Sequence, residues 1–594
     1  MTSIDELFKA SGVGNKRKLE PLRDPNEIYK SARTNSNGHS SRHARVEDEA
    51  AGDNDDDVEA GPAPPPDDEN GDYGPDLPPD DDEEGRFYGG GITAQENEVL
   101  DYVDDPDPGA DAAPDKFDSA WLRRIALNFE KRINKNAELR AKFEDEPQKF
   151  IASEADLDTD IKALSILSEH PELYLEFAKL GSVASLVGLL AHENTDIAID
   201  AVEIINELTD EDVSADDDQW NALVDALLEA DLLGLLVSNF ERLDETQEVD
   251  RSGVYYALSV IENLCSGRTT TAEQVAENEK LLNLLLRRIQ AKETTVSQNK
   301  QYAAEILAIL VQTSPKNRRK LASLNAADIM LQLVASYRKR DPEKGGEEEE
   351  YMENLFEALT CLADEPEGKT KFVEAEGVEL CLIMLKEGKM SKGAALRLLD
   401  HAVGGTAGAE VCQKVVEAGG LKNIFTLFMK KNNDNQTTEH LIGIFGSMLR
   451  QLPADSAERI RTLAKFVEKD YEKTQKLVKL RREYATRLSS VDEAIRAEQS
   501  RMNAEEKEEM ADEWFSRRLD AGLFCLQTLD VVLAWLIAED DGARKTIQKL
   551  LADRDETLKV IGDTIQEQIE GIDVDDAESK DTREMLTTLV EFVQ

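Results

Sequence analysis

Between Asp200 and Asp210 the polar residues Asp200, Glu203, Asn206, Glu207 and Asp210 recur at i, i+3, i+6/i+7 and i+10. That spacing places them on one stripe of a helix, with Val202, Ile204, Ile205 and Leu208 turned the other way. Glu262 with Asn263, then Glu305, Glu357 and Asp400, take matching places in later apolar runs. Carboxylates in such a row suit Lys and Arg side chains, and the amides suit the backbone of an extended peptide. The chemistry is recognition, with no bond made or broken. A single stripe of this kind is also the wet face of an ordinary amphipathic helix. The row as a whole is one-signed, which favours binding.

Residue sets for catalysis are missing by comparison. The six histidines (His39, His43, His170, His192, His401 and His440) show no metal-ligand spacing in the folded body. Gly368-Lys369-Thr370 resembles the end of a phosphate loop, but the earlier glycine position holds Ala363 and the stretch between is acidic, so it reads as a turn. The five cysteines (Cys265, Cys361, Cys381, Cys412 and Cys525) lack close pairing, which predicts neither disulfide framework nor zinc site and fits a reducing compartment. No cofactor, metal or enzymatic activity is expected.

The elements that must carry the stripe announce themselves by repetition. An anchor residue followed by apolar residues two and five positions later occurs at Gly181, Ala230, Glu279, Asn325, Glu376 and Gly419, with gaps of 49, 49, 46, 51 and 43 residues. A helical period of roughly 40–50 residues predicts an all-α, right-handed solenoid of the armadillo/HEAT type, about six repeats long. One helical hairpin cannot bury its apolar face alone, so neighbours stack and share a core. The stripe then lies on the last helix of each repeat, which in armadillo stacks lines the concave groove.

Composition divides the chain. Of 594 residues, 123 are Asp or Glu and 70 are Lys or Arg, for a formal charge of -53. Residues 1–45 carry nine basic and five acidic side chains, residues 46–108 carry 24 acidic against Arg86 alone, and the remainder holds -34. Residues 1–116 are predicted to be a disordered acidic tail, because they have little to bury. Two islands break the tail: Lys16, Arg17 and Lys18 as a nuclear-localisation segment read by importin, and Arg86, Phe87 and Tyr88 as a docking peptide. A helical cap is expected over 117–175, with Asp118-Ser119 starting helices at 121–133 and 137–143. Armadillo repeats follow over 176–452 and a helical C-terminal domain over 453–594, opening with one or two long exposed helices. The acidic body argues against direct nucleic-acid binding, and no uncharged apolar run is long enough for a membrane.

Several strings resemble one family. They are Asn128-Phe-Glu-Lys-Arg132, Leu189-Leu-Ala-His-Glu-Asn-Thr-Asp196, Asn239-Phe-Glu-Arg-Leu-Asp-Glu245, Met352-Glu-Asn-Leu-Phe356, Leu398-Leu-Asp-His-Ala402 and Arg517-Arg-Leu-Asp-Ala-Gly-Leu-Phe524. In this order over 118–550 they are similar to the beta-catenin-like nuclear armadillo family. The resemblance implies a nuclear protein of the spliceosome, associated with the Prp-nineteen complex. It implies binding to basic segments of splicing factors, notably the cell-division-cycle-five-like protein, and self-association as a homodimer. An importin-alpha-like cargo carrier is the alternative. Such carriers read cargo with a Trp–Asn ladder on their groove helices, whereas the four tryptophans here (Trp121, Trp220, Trp514 and Trp535) fall outside the predicted last helices.

Overall fold

Asp118 opens the first helix of the computed structural model, which describes residues 117–594 apart from Thr406 and 573–576. Its carboxylate accepts from the backbone N–H groups of Ala120 and Trp121, at 3.0 Å each, satisfying two donors that a helix start leaves bare. The expected tail, Lys16–Lys18 and Arg86–Tyr88 lie outside the described residues. All described elements are helices.

Helix α1 (Ser119–Lys142) runs unbroken where the sequence predicted two helices. Asn136, in the expected gap, is buried; its amide donates to Ser153 Oγ at 3.0 Å and its carbonyl pairs with His192 Nε2 at 3.1 Å. Those contacts with later segments outweigh the weak helix propensity of asparagine. Helix α2 (Ile151–Ala163) packs back on α1.

Six units then follow, each with two outer helices and one long inner helix. The outer pairs are Tyr174–Lys179 and Ser182–Gly188, Asp217–Glu229 and Leu232–Arg242, Thr269–Glu277 and Glu279–Ile289, Pro315–Ser323 and Ala326–Val334, Pro366–Glu374 and Gly377–Glu387, and Ala409–Glu417 and Gly420–Phe428. The inner helices are α3 (Thr195–Thr209), α4 (Glu248–Gly267), α5 (Gln298–Thr313), α6 (Glu347–Leu362), α7 (Ser391–Val403) and α8 (Asn435–Gln451). The chain turns between the outer pair through a left-handed residue at Gly181, Asp231, Asn325, Glu376 and Gly419. The repeated anchor is that reversal, which favours glycine, asparagine and aspartate. The register at Ala230 was therefore one residue early. In the third unit Asn278 replaces the reversal with an ordinary cap on Leu281 N–H at 3.2 Å, so Glu279 is merely the first helical residue.

Successive inner helices pack on one another from α3 to α8, and α2 precedes them in the same row. Ile204, Ile205 and Leu208 of α3 are buried, each worth about 1.5–3 kcal/mol. Buried side chains also tie one unit to the next. The Asn239 amide donates to Leu190 O (2.9 Å), the Tyr351 hydroxyl to Ile289 O (2.7 Å) and the Ser391 hydroxyl to Tyr337 O (2.9 Å). Gly368-Lys369-Thr370 is no turn: it lies inside the helix Pro366–Glu374. A side chain at Gly368 would place its Cβ 1.8 Å from Leu362 O, and buried Lys369 spends its ammonium on Ala363 O (2.5 Å) and His401 O (2.9 Å).

Beyond the repeats, α9 (Ala457–Gln499) is broken where no glycine or proline marks a break. Lys469, Asp470 and Tyr471 all adopt left-handed backbone, at φ 55°, 55° and 61°. That conformation costs an L-residue roughly 1–2 kcal/mol. Local bonds offset it: Tyr471 donates to Asp540 Oδ1 (3.1 Å), and Lys473, 3% exposed, pairs with Glu468 (3.0 Å) and Glu472 (3.1 Å). The segment is also less exposed than expected, since Phe466, Leu477, Val478, Tyr484 and Leu488 are buried. Gly522 (φ 97°) separates the helix Ala511–Asp520 from α10 (Leu523–Glu539). Helix α10 packs on α8 and so continues the inner row. Buried Arg459 fastens this junction: it donates to Leu449 O and Leu452 O, pairs with Glu539 and lies 4.8 Å over the Trp535 ring. Helices α11 (Asp541–Ala552), α12 (Lys559–Glu570) and α13 (Ala577–Val593) pack against α10. Among the described residues no single helix is long and apolar enough to cross a membrane.

Candidate functional site

Glu203, Asn206 and Glu207 stand half-buried on α3, and Asp210 is its C-cap residue. Their carboxylates act on one another: burial first, then Glu203 and Asp210, raise the Glu207 carboxyl above its ordinary value. On the neighbouring α4, burial and then Glu203 and Glu207 push the Tyr256 phenol up. Glu262, also on α4 and half-buried, accepts from the hydroxyl of Tyr302 on α5. The Tyr302 ring lies 5.2 Å from that of Tyr255. The structure thus brings Glu203, Asn206, Glu207, Asp210 and Glu262 onto adjacent helices, with tyrosines between them.

Four expected groove residues do other work. Asn263 is buried, and its amide donates to Asn206 Oδ1 (3.2 Å) and Thr209 Oγ1 (3.3 Å). A buried amide must be satisfied internally, so it cannot hold a ligand's backbone as expected. Asp400 is 2% exposed and meets His440 Nδ1 at 3.2 Å inside the stack. The room comes from Gly443, where a Cβ would lie 2.5 Å from Asp400 Oδ1. Glu357 is half-buried and neutralised by Arg397 Nη2 at 2.9 Å.

Glu305, 6% exposed, is the fourth. Burial and then Glu262 push its carboxyl up to about 8; Glu350 and Glu347 add to this, and a hydrogen bond from the Gln301 amide (2.9 Å) opposes it. At neutral pH it is a neutral acid, not the expected anion. An unfolded glutamate titrates near about 4.3, so the folded chain keeps a proton that the unfolded chain releases. The resulting stabilisation is whole at acid pH and is lost as pH rises through the folded value near 8. Glu305→Gln removes that dependence. Its urea midpoint should gain on the native chain by roughly 2–4 kcal/mol equivalent between pH 5 and 9. Parallel pH profiles for the two proteins would refute this.

Sequence reasoning missed Tyr255, Tyr256, Tyr302, Gln301, Glu347 and Glu350. The doublet Tyr255-Tyr256 was a usable signal, because adjacent aromatics on an inner helix place one beside the polar stripe. Glu347–Glu350 form the first turn of α6, where acidic residues complement the helix dipole.

The arrangement offers negative charge and aromatic faces, both of which attract Lys and Arg. Its nearest thiol, Cys265 on α4, is buried, and burial raises it far from the reactive thiolate range. Cys525 is likewise pushed up to about 12. Among the described residues no three His, Cys, Asp or Glu side chains gather as a metal site. Trp121, Trp220 and Trp514 lie off the inner row; Trp535 lies on α10, which continues it, under Arg459.

Comparison with known proteins agrees with the repeat reading. The chain is 39% identical over 500 residues to the beta-catenin-like protein 1 homolog of Schizosaccharomyces pombe, covering 84% of this chain and 87% of that protein. It is 36% identical over 469 residues to beta-catenin-like protein 1 of Homo sapiens, covering 77% and 82% respectively. Among solved structures, a designed armadillo repeat protein in complex with the peptide (KR)4 is similar over 45% of this chain and 99% of its own, at 17% identity and a TM-score of 0.35. Residues 97–566 match the family described as catenin-beta-like, Arm-motif containing nuclear. The chain belongs to this nuclear, armadillo-motif family of beta-catenin-like proteins.

Proposed function

We propose that this protein is a nuclear adaptor that binds Lys- and Arg-rich segments of splicing factors along the acidic row of α3 and α4. The observation that carries the reading is the convergence of Glu203, Glu207, Asp210 and Glu262 on adjacent helices, where burial and then Glu203 and Asp210 raise the Glu207 carboxyl. A one-signed field of this kind steers and holds basic peptides. The half-buried tyrosines Tyr255 and Tyr256 supply rings for cationic side chains. The role in pre-mRNA splicing, within the Prp-nineteen complex and through the cell-division-cycle-five-like protein, rests on the family strings between Asn128 and Phe524. The protein acts as a scaffold and not as an enzyme.

The test is a pull-down from nuclear extract with the full chain, beside the variant Glu203→Lys/Glu207→Lys/Glu262→Lys. Splicing factors recovered by the native chain and lost with the variant support the adaptor. Importin-beta with mixed nuclear cargo on the native chain instead makes it an importin-alpha-like carrier. Equal recovery by both proteins moves the binding surface elsewhere.

A further inference from the structure

Seven residues, Asp210 to Asp216, link α3 to the outer helix Asp217–Glu229, and Ser214 stands exposed in the middle of them. Its neighbours are fixed by backbone bonds, Val213 N–H to Asp210 O (3.1 Å) and Ala215 N–H to Val213 O (2.8 Å), while the Ser214 hydroxyl makes no hydrogen bond among the described residues. Asp216, Asp217 and Asp218 follow at the second, third and fourth positions, all exposed. Six exposed Ser or Thr residues among those described have an acid three positions on. Ser238, Thr270, Ser489, Ser490 and Thr588 sit within helices, where the backbone is closed to an enzyme cleft. Ser214 alone lies outside one.

We propose that Ser214 is a phosphorylation site for a protein kinase whose substrate cleft is basic. The Ser214 hydroxyl attacks the γ-phosphorus of a nucleoside triphosphate on the kinase. A new P–O bond forms, the bond to the β-phosphate oxygen breaks, the nucleoside diphosphate leaves, and the hydroxyl proton passes to the kinase's base. Basic side chains of the kinase pair with Asp216, Asp217 and Asp218, as they do wherever acidic segments meet Arg clusters. The product carries about -1.5 to -2 charges at neutral pH. It lies three residues before Asp217, close to a helix N-terminus, whose exposed N–H groups accommodate an anion. It is also four residues beyond Asp210, and so adds to the acidic row. This second consequence rests on the basic-peptide reading above; the modification itself does not.

The experiment treats the full chain with an acid-directed Ser/Thr kinase and ATP, and locates phosphate by site-resolved mass spectrometry. Phosphate on Ser214, its loss in Ser214→Ala with other sites unchanged, and at least about tenfold slower labelling in Asp217→Asn/Asp218→Asn are expected. The latter variant keeps the Asp216 cap on Gln219 N–H (2.9 Å), and a native circular dichroism spectrum confirms its fold. An unmodified Ser214 in a chain labelled elsewhere overturns the proposal, as does an unchanged rate in the double variant. Titration of the phosphorylated chain with a Lys/Arg peptide separates the two readings. Affinity higher by about threefold or more joins Ser214 to the acidic row. Unchanged affinity on a fully phosphorylated chain refutes that link and leaves the modification standing.

Discussion

Arg481→Met should destabilise the C-terminal helices by about 3–5 kcal/mol at pH 7, read as a fall in the urea midpoint followed by tryptophan fluorescence. Trp514 and Trp535 both lie in this part of the chain and report its unfolding. Arg481 and Asp530 are 3% and 0% exposed; Nε meets Oδ1 at 2.6 Å and Nη2 meets Oδ2 at 3.2 Å. The guanidinium also donates to Val560 O at 3.0 Å, so it joins α9, α10 and α12. Burial already pushes the Asp530 carboxyl up to about 6 against the opposing pull of Arg481. Without the arginine, the folded state holds that proton more tightly still. The variant's deficit should therefore widen as pH rises from 5 to 8, since a raised carboxyl loses its stabilising contribution with increasing pH. Arg481→Met/Asp530→Leu should recover most of the loss, because a well-packed apolar pair carries no buried charge. A loss under about 1 kcal/mol in the single variant would show the pair to be dispensable.

Glu203→Lys/Glu207→Lys/Glu262→Lys should weaken binding of a Lys/Arg-rich peptide by about 100-fold or more at low salt. A half-buried carboxylate facing a cation contributes on the order of 1 kcal/mol, and reversal replaces that attraction with repulsion at three places. The salt dependence should flatten at the same time, because screening has less attraction to remove. Glu262→Lys also takes an acceptor from the Tyr302 hydroxyl, so a neutral set, Glu203→Gln/Glu207→Gln/Glu262→Gln, separates charge from packing. Its amide oxygen still accepts from Tyr302, and its affinity should fall about tenfold. Native affinity in both sets, measured by calorimetric titration, would remove α3 and α4 from the binding surface.

Repeat period and helix class were legible because five of the six units repeat one geometric demand, a left-handed reversal between the outer helices. Gly181, Asn325 and Gly419 meet it with residues that favour it, so they stand out. Glu376 meets it under strain, as a residue type that does not favour this backbone. The stripe on α3 was legible from periodicity alone, since polar residues at helical spacing opposite Ile204 and Leu208 leave one arrangement. The fates of Glu305 and Asp400 were not. Each lies in a pattern like that of Glu203, but burial and then Glu262 of the preceding helix raise the first, and His440 of the following helix claims the second. Such partners lie about one repeat away in sequence, and no local pattern reports them. The left-handed run Lys469–Tyr471 was invisible for the same reason: Asp540, which holds Tyr471, is 69 residues away.

The way the inner row ends bears on solubility. Every unit of a stack offers its successor a face like the one it received, so a row left bare at one end is a template for the next molecule and grows into filaments. Here α10 lies across the exposed side of α8, and Arg459 binds the last carbonyls of α8 to Glu539 and Trp535. Helices α11, α12 and α13 then cover α10 itself. The stretch after Leu452 thus works as a chain terminator in the polymer sense, which keeps a self-complementary building block from propagating.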